Sequence, residues 1–122
     1  MTENQRHLSR MAEVSNALVQ LHKAHFGRGP THARSLLVGR DTLLCMLEDV
    51  MLPAEQKLVN QGQEEKVQTA RVAVQIATKA EFMSAVEQIM QRKVRAFTSA
   101  IDPTADVLFE VFVFERDGGE SG

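Results

Sequence analysis

The sequence has no tryptophan and no tyrosine, and its six aromatic residues are all phenylalanine. Platforms on which nucleic-acid bases stack draw on several exposed aromatics. Here Phe109, Phe112 and Phe114 crowd into one strand-like segment that reads as core. Charge of one sign is also lacking. The net charge is −2, so nothing pulls the chain as a whole toward nucleic acid or acidic lipid. A DNA-recognition helix needs a basic face, and the first helical segment offers only Arg6, Arg10 and Lys23, scattered around it. The lone cysteine, Cys45, excludes an intrachain disulfide and points to a reducing, cytoplasmic setting. It sits in the apolar run Leu43–Leu47, where it reads as a small buried hydrophobe. A nucleophile would need a base and an electropositive, accessible environment.

No apolar run approaches the roughly 20 residues of a membrane helix. The first ten residues are polar and charged, without the apolar core of a signal peptide. The expectation is a chain with no direct membrane insertion, which meets a membrane only through a partner.

What is present suffices for one core. The 122 residues are 43% hydrophobic, which fits a single domain that needs no staples. That domain is expected over 1–116, with 117–122 as a disordered polar tail. Thr2 and Gln5 form a capping-box pattern that opens a helix reaching Phe26. Leu8, Met11, Ala12, Leu18, Val19 and Phe26 are expected on its apolar face, with Ser15 and His22 among them. Gly27-Arg28-Gly29-Pro30 stops this helix. Segments 32–38 and 42–49 read as strands joined by a tight turn at 39–41. Their nearly continuous apolar character suggests strands covered on both faces, whereas one layer of helices covers only one. Pro53 opens a short helix that ends near Gly62. A long helix follows over about 63–92, and 94–101 and 107–114 form a second hairpin. The order αββ-α-αββ predicts an α+β fold, with a four-stranded antiparallel sheet and two long helices packed on one face.

The long helix carries two apolar stripes. One is Val67, Ala70, Val74, Ala77, Phe82, Ala85 and Ile89. The other, Val72, Ile76, Met83, Val86 and Met90, has the spacing of a heptad seam. Two stripes need two partners. Thirty residues at about 1.5 Å each also outrun a domain of this size. A homodimer with this seam at the interface is therefore expected.

Chemistry-bearing clusters are sparse. His22, His25 and His32 could approach one metal, but without an HExxH pattern or a cysteine neighbour the reading is no metal and no cofactor. Gly27–Thr31 is not a phosphate loop, because its glycines follow a helix and lead to a strand. Arg71, Thr78 and Glu81 interrupt the apolar face of the long helix. Glu55 is the better charge partner for Arg71, either as a structural pair or as part of an anion pocket near Arg34, Glu55 and Arg71. No nucleophile–base pair is visible, so no catalytic residue is assigned and the chain is not expected to be an enzyme.

Several segments in order resemble the MpsC-like family. They are Phe26-Gly27-Arg28-Gly29-Pro30, then Leu52-Pro53-Ala54-Glu55-Gln56-Lys57-Leu58-Val59 with Gly62, then Val67 and Arg71, then Arg92-Lys93-Val94, and finally Ser99-Ala100-Ile101-Asp102 leading to Val111-Phe112-Val113. The similarity runs from about Leu8 to Phe114, and Gly27, Gly29, Pro30, Glu55, Gly62, Arg71 and Asp102 carry its motif. Two departures stand out: Leu52 where the family tends to have a capping Thr, and Gln91 where it favours Gly. The resemblance implies a bacterial accessory or regulatory component of a cation or bicarbonate uptake system that generates membrane potential. Its partner would be a membrane transporter subunit. The alternative is a small-molecule or anion-sensing domain.

Overall fold

The computed structural model describes residues 2–116, so the tail expected at 117–122 lies outside the described residues. The elements are α1 (Glu3–Phe26), β1 (His32–Val38), β2 (Thr42–Glu48), α2 (Pro53–Asn60), α3 (Glu64–Met90), β3 (Val94–Asp102) and β4 (Val107–Phe114). The four strands form one antiparallel sheet in the order β1-β2-β4-β3. α1 lies against β1 and α3, α3 lies against β3, and α2 packs on α3. This is the α+β arrangement that the order of sequence elements predicts.

Alternation along each strand sorts the side chains. Leu43, Cys45 and Leu47 of β2, and Leu108, Phe112 and Phe114 of β4, point toward the helices and are buried. Met11, Val14 and Leu18 of α1 and Val67, Phe82, Val86 and Met90 of α3 meet them to form the core. Phe82, Phe97 and Phe112 stack in series, with ring centroids 5.8 and 4.4 Å apart. Burial pushes the Cys45 thiol up to about 12; a hydrogen bond from Ser35 works the other way, and the nearby Glu110 charge adds to the rise.

Three expectations need correction. The buried face of α1 is Met11, Val14, Ser15, Leu18 and His22, so Val14 belongs to it, whereas Leu8 is exposed and Ala12 lies outside it. The chain's own helices cover the strands on one face only, because both long helices lie on one side. α3 runs unbroken for 27 residues, but its second stripe is not one surface seam. Val86 and Met90 are inside the core and Met83 is half-buried, while Val72 and Ile76 stay exposed. In the first stripe Ala70 and Ala77 are exposed. The inward line instead runs Val67, Arg71, Phe82, Val86, Met90, mostly in steps of four.

Two local solutions explain how this sequence departs from the motif it resembles. Leu52 gives α2 no side-chain cap, but the Glu55 carboxylate reaches back to accept from the Leu52 amide at 2.9 Å. Gln91 closes α3 by taking the left-handed conformation itself, with φ 56°. That region favours glycine.

Candidate functional site

The glycine motif serves the backbone. Gly27 ends α1 at φ 83°. A side chain at Gly29 would sit 3.0 Å from the Val19 carbonyl oxygen and 3.1 Å from its Cγ1, so the chain passes α1 at glycine distance. Between them Arg28 donates to the Met51 carbonyl at 2.6 Å and meets Asp49 at 3.1 Å, which ties the end of α1 to the β2–α2 connection. Asp102 accepts from the amides of Thr104 and Ala105 and shapes the β3–β4 turn.

Arg71 and Glu55 do come together. Arg71 Nε donates to Glu55 Oε2 at 2.7 Å, Nη2 donates to Oε1, and Nη2 also donates to the Val50 carbonyl at 3.0 Å. The guanidinium lies 4.1 Å over the Phe26 ring. Burial works to raise the Glu55 pKa, but hydrogen bonding from Arg71 and the Leu52 amide and the Arg71 charge outweigh it and hold the carboxyl below its usual range. The pair is a two-pronged clamp at the α2–α3 corner. Arg34 does not join it. Ser35 faces α1 through Ser15 at 2.8 Å, so its neighbour Arg34 points to the opposite side of the sheet, where its guanidinium approaches Met46 Sδ at 3.9 Å. The expected grouping of Arg34, Glu55 and Arg71 is thus two places, on opposite faces.

The histidines also separate. His25 pairs with Glu81 at 3.1 Å on the surface, and His32 is exposed on β1. His22 is buried and its Nε2 lies 3.2 Å from Glu110 Oε2. Its ring stacks on Phe26 and meets Phe82 edge-on. No group of three or more possible metal ligands forms among the described residues.

His22, Glu110 and Arg71 line one cavity, walled by Phe26, Phe82 and Phe97, where α1, α3, β3 and β4 meet. The centre of a water-sized sphere can move within about 20 Å3 of it, enough for at least one water-sized group. Three buried polar atoms have no hydrogen-bond partner among the described residues: His22 Nδ1, Arg71 Nη1 and Glu110 Oε1. One comes from each of those three lining residues. Such groups are rare in folded proteins, and each costs about 1–3 kcal/mol if left unsatisfied. A neighbouring hollow of about 220 Å3 shares Arg71, Ser99 and Leu108 with the cavity and borders the exposed Val72.

Arg71 Nη1 can only donate and an ionised Glu110 can only accept, so His22 Nε2 carries the proton of its hydrogen bond to Glu110 and Nδ1 of the neutral ring accepts. The matching guest both accepts and donates, as a water does, or as the hydroxyl end of a protonated oxyanion does when the rest of it occupies the neighbouring hollow. Sequence reasoning placed Arg71 and Glu55 but gave Glu110 no role. Its signal was present: Glu110 is the one charge on the inward face of β4, and His22 breaks the inward face of α1 in the same way.

A family model described as "Na+-translocating membrane potential-generating system (MpsC)" matches residues 7–116. No curated protein and no solved structure matches the chain.

Proposed function

This chain belongs to the MpsC family, and from that premise we propose that it is a non-catalytic accessory or regulatory component of a cation or bicarbonate uptake system that generates membrane potential. It acts from the cytoplasmic side by docking on a membrane transporter subunit. Among the described residues no helix is long and apolar enough to cross a membrane, which suits a component that works through a partner. The family description names a Na+-translocating, membrane-potential-generating system, and the uptake role is our extension of it.

The regulatory half of the reading is supported by one cavity lined by three residues, His22, Arg71 and Glu110, that each carry a buried polar atom without a partner among the described residues. A small guest that satisfies the three atoms binds the folded chain and not the unfolded one, so it raises stability by mass action.

The test is a melting series with sodium formate, sodium bicarbonate, sodium phosphate and sodium chloride at constant ionic strength, with potassium salts as controls. The reading expects one oxyanion to raise the melting temperature in a saturable way, with the shift absent in Glu110→Gln. Identical melting in every salt contradicts ligand sensing at this cavity. A shift that follows sodium and not the anion assigns the response to the cation.

A further inference from the structure

The sheet face turned away from the helices has no cover among the described residues. Leu36, Val38 and Phe109 on it are 46, 48 and 41% exposed. Leu44, Met46, Val111 and Val113 lie between them. Contiguous apolar patches beyond a few hundred Å2 mark interaction surfaces. The strands are 7 to 9 residues long in a four-stranded sheet, so the face measures roughly 25 by 19 Å, on the order of 500 Å2 in projection. Two such faces together bury on the order of 1,000 Å2, and more once side-chain relief is counted, which reaches the range of specific interfaces.

We infer that a second copy of this chain covers this face, sheet on sheet, about a two-fold axis parallel to the strands. The register supports that occupant. Each row across the outer face reads β1, β2, β4, β3: Leu36, Leu44, Val111, Thr98 in one, Arg34, Met46, Phe109, Ala100 in the next, and Val38, Thr42, Val113, Ala96 in a third. β1 therefore presents long side chains and β3 short ones. A two-fold axis along the strands lays β1 of one copy over β3 of the other, with each row over itself. Arg34 then covers Ala100, Val38 covers Ala96, and Met46 meets Phe109, a favourable sulfur–aromatic pair. The fourth row reads His32, Glu48, Val107, Asp102, so Asp102 of each copy lies over His32 of the other, with the other copy's Arg34 one row away. A two-fold axis across the strands would stack long on long at one edge and short on short at the other. The chosen packing is the aligned class of sheet sandwiches and an isologous interface. It is independent of the cavity and replaces the long-helix seam as the contact between copies.

Light scattering on the full chain, combined with crosslinking, tests this. The wild type is expected at twice the monomer mass, and Phe109→Asp at one monomer mass with an unchanged far-UV spectrum. V38C/A96C keeps its two cysteines at opposite edges, roughly 14 Å apart within one chain and too far for an internal disulfide. With a bis-maleimide that spans about 10 Å, the separation of packed sheets, it is expected to crosslink to a covalent dimer, while V38C and A96C alone do not. A monomeric wild type, a dimer that survives Phe109→Asp but is lost in Ile76→Asp, or a V38C/A96C dimer that never crosslinks overturns the inference. The crosslink result stands even if Phe109→Asp fails to fold.

Discussion

Arg71 of α3 and Glu55 of α2 form a two-pronged ion pair across a helix corner, with side chains only 6 and 13% exposed. The same guanidinium covers Phe26 at the end of α1, so one side chain locks three helices together. Removing it strands a carboxylate that is largely out of water. Arg71→Ala is expected to cost about 3–5 kcal/mol, read from denaturant midpoints. Arg71→Lys recovers only a small part, since an ammonium cannot supply the fork. A loss under 1 kcal/mol for Arg71→Ala contradicts this account of the corner.

The same pair sets an acid limb. The folded Glu55 pKa lies below the unfolded value of about 4.3, so the unfolded chain binds the proton more readily. The stability this gives is fully present above the unfolded pKa and disappears as pH falls through the lower, folded value. Chemical denaturation at stepped pH should show stability falling below about pH 4.3, with a shallower fall in Glu55→Gln. Parallel limbs for wild type and variant would assign acid sensitivity elsewhere.

His22 and Glu110 meet deep in the molecule although 88 residues separate them. Each single replacement by Ala leaves the partner buried and alone, whereas the double replacement removes both problems. A double-mutant cycle is expected to give a coupling of about 1 kcal/mol or more. Additive effects would mean that the two side chains do not depend on each other.

Two backbone positions should respond in opposite directions. Gln91→Gly relieves a left-handed residue at the end of α3 and should stabilise by about 0.5–1 kcal/mol. Gly29→Ala drives a methyl group against Val19 and should cost about 1–3 kcal/mol. Thermal melts of both variants check the pair, and a neutral Gly29→Ala would show that the α1 contact yields easily.

Much of the fold was legible because hydrophobic period and turn chemistry agree along this chain. Thr2 with Gln5 opens α1, Gly27 closes it, and Gly62 separates α2 from α3, each through a local rule. The Arg71–Glu55 pair was legible too, because a charge on an apolar helix face demands a partner and Glu55 lies one short helix away. What escaped depends on rotation and on distance in sequence. A rotation of α1 by roughly half of its 100° step per residue exchanges Ala12 for Val14 at the core. Similarly, the long helix could not reveal that its second stripe turns inward at Val86. Arg34 was grouped with Glu55 and Arg71 because a strand's phase is fixed only by its neighbours, here by Ser35 against Ser15. The link from His22 to Glu110 spans nearly the whole chain, so no local pattern could show it.

The accessory role is tested most directly by what the chain holds in its own cell. A tagged full chain at native expression level would be purified from detergent-solubilised membranes and from cytosol, with wild type and Glu110→Gln in parallel. The account predicts a stoichiometric membrane transporter subunit with the wild type, and recovery that changes in Glu110→Gln. A chain recovered only with copies of itself, from the cytosol and with no membrane protein, would contradict it.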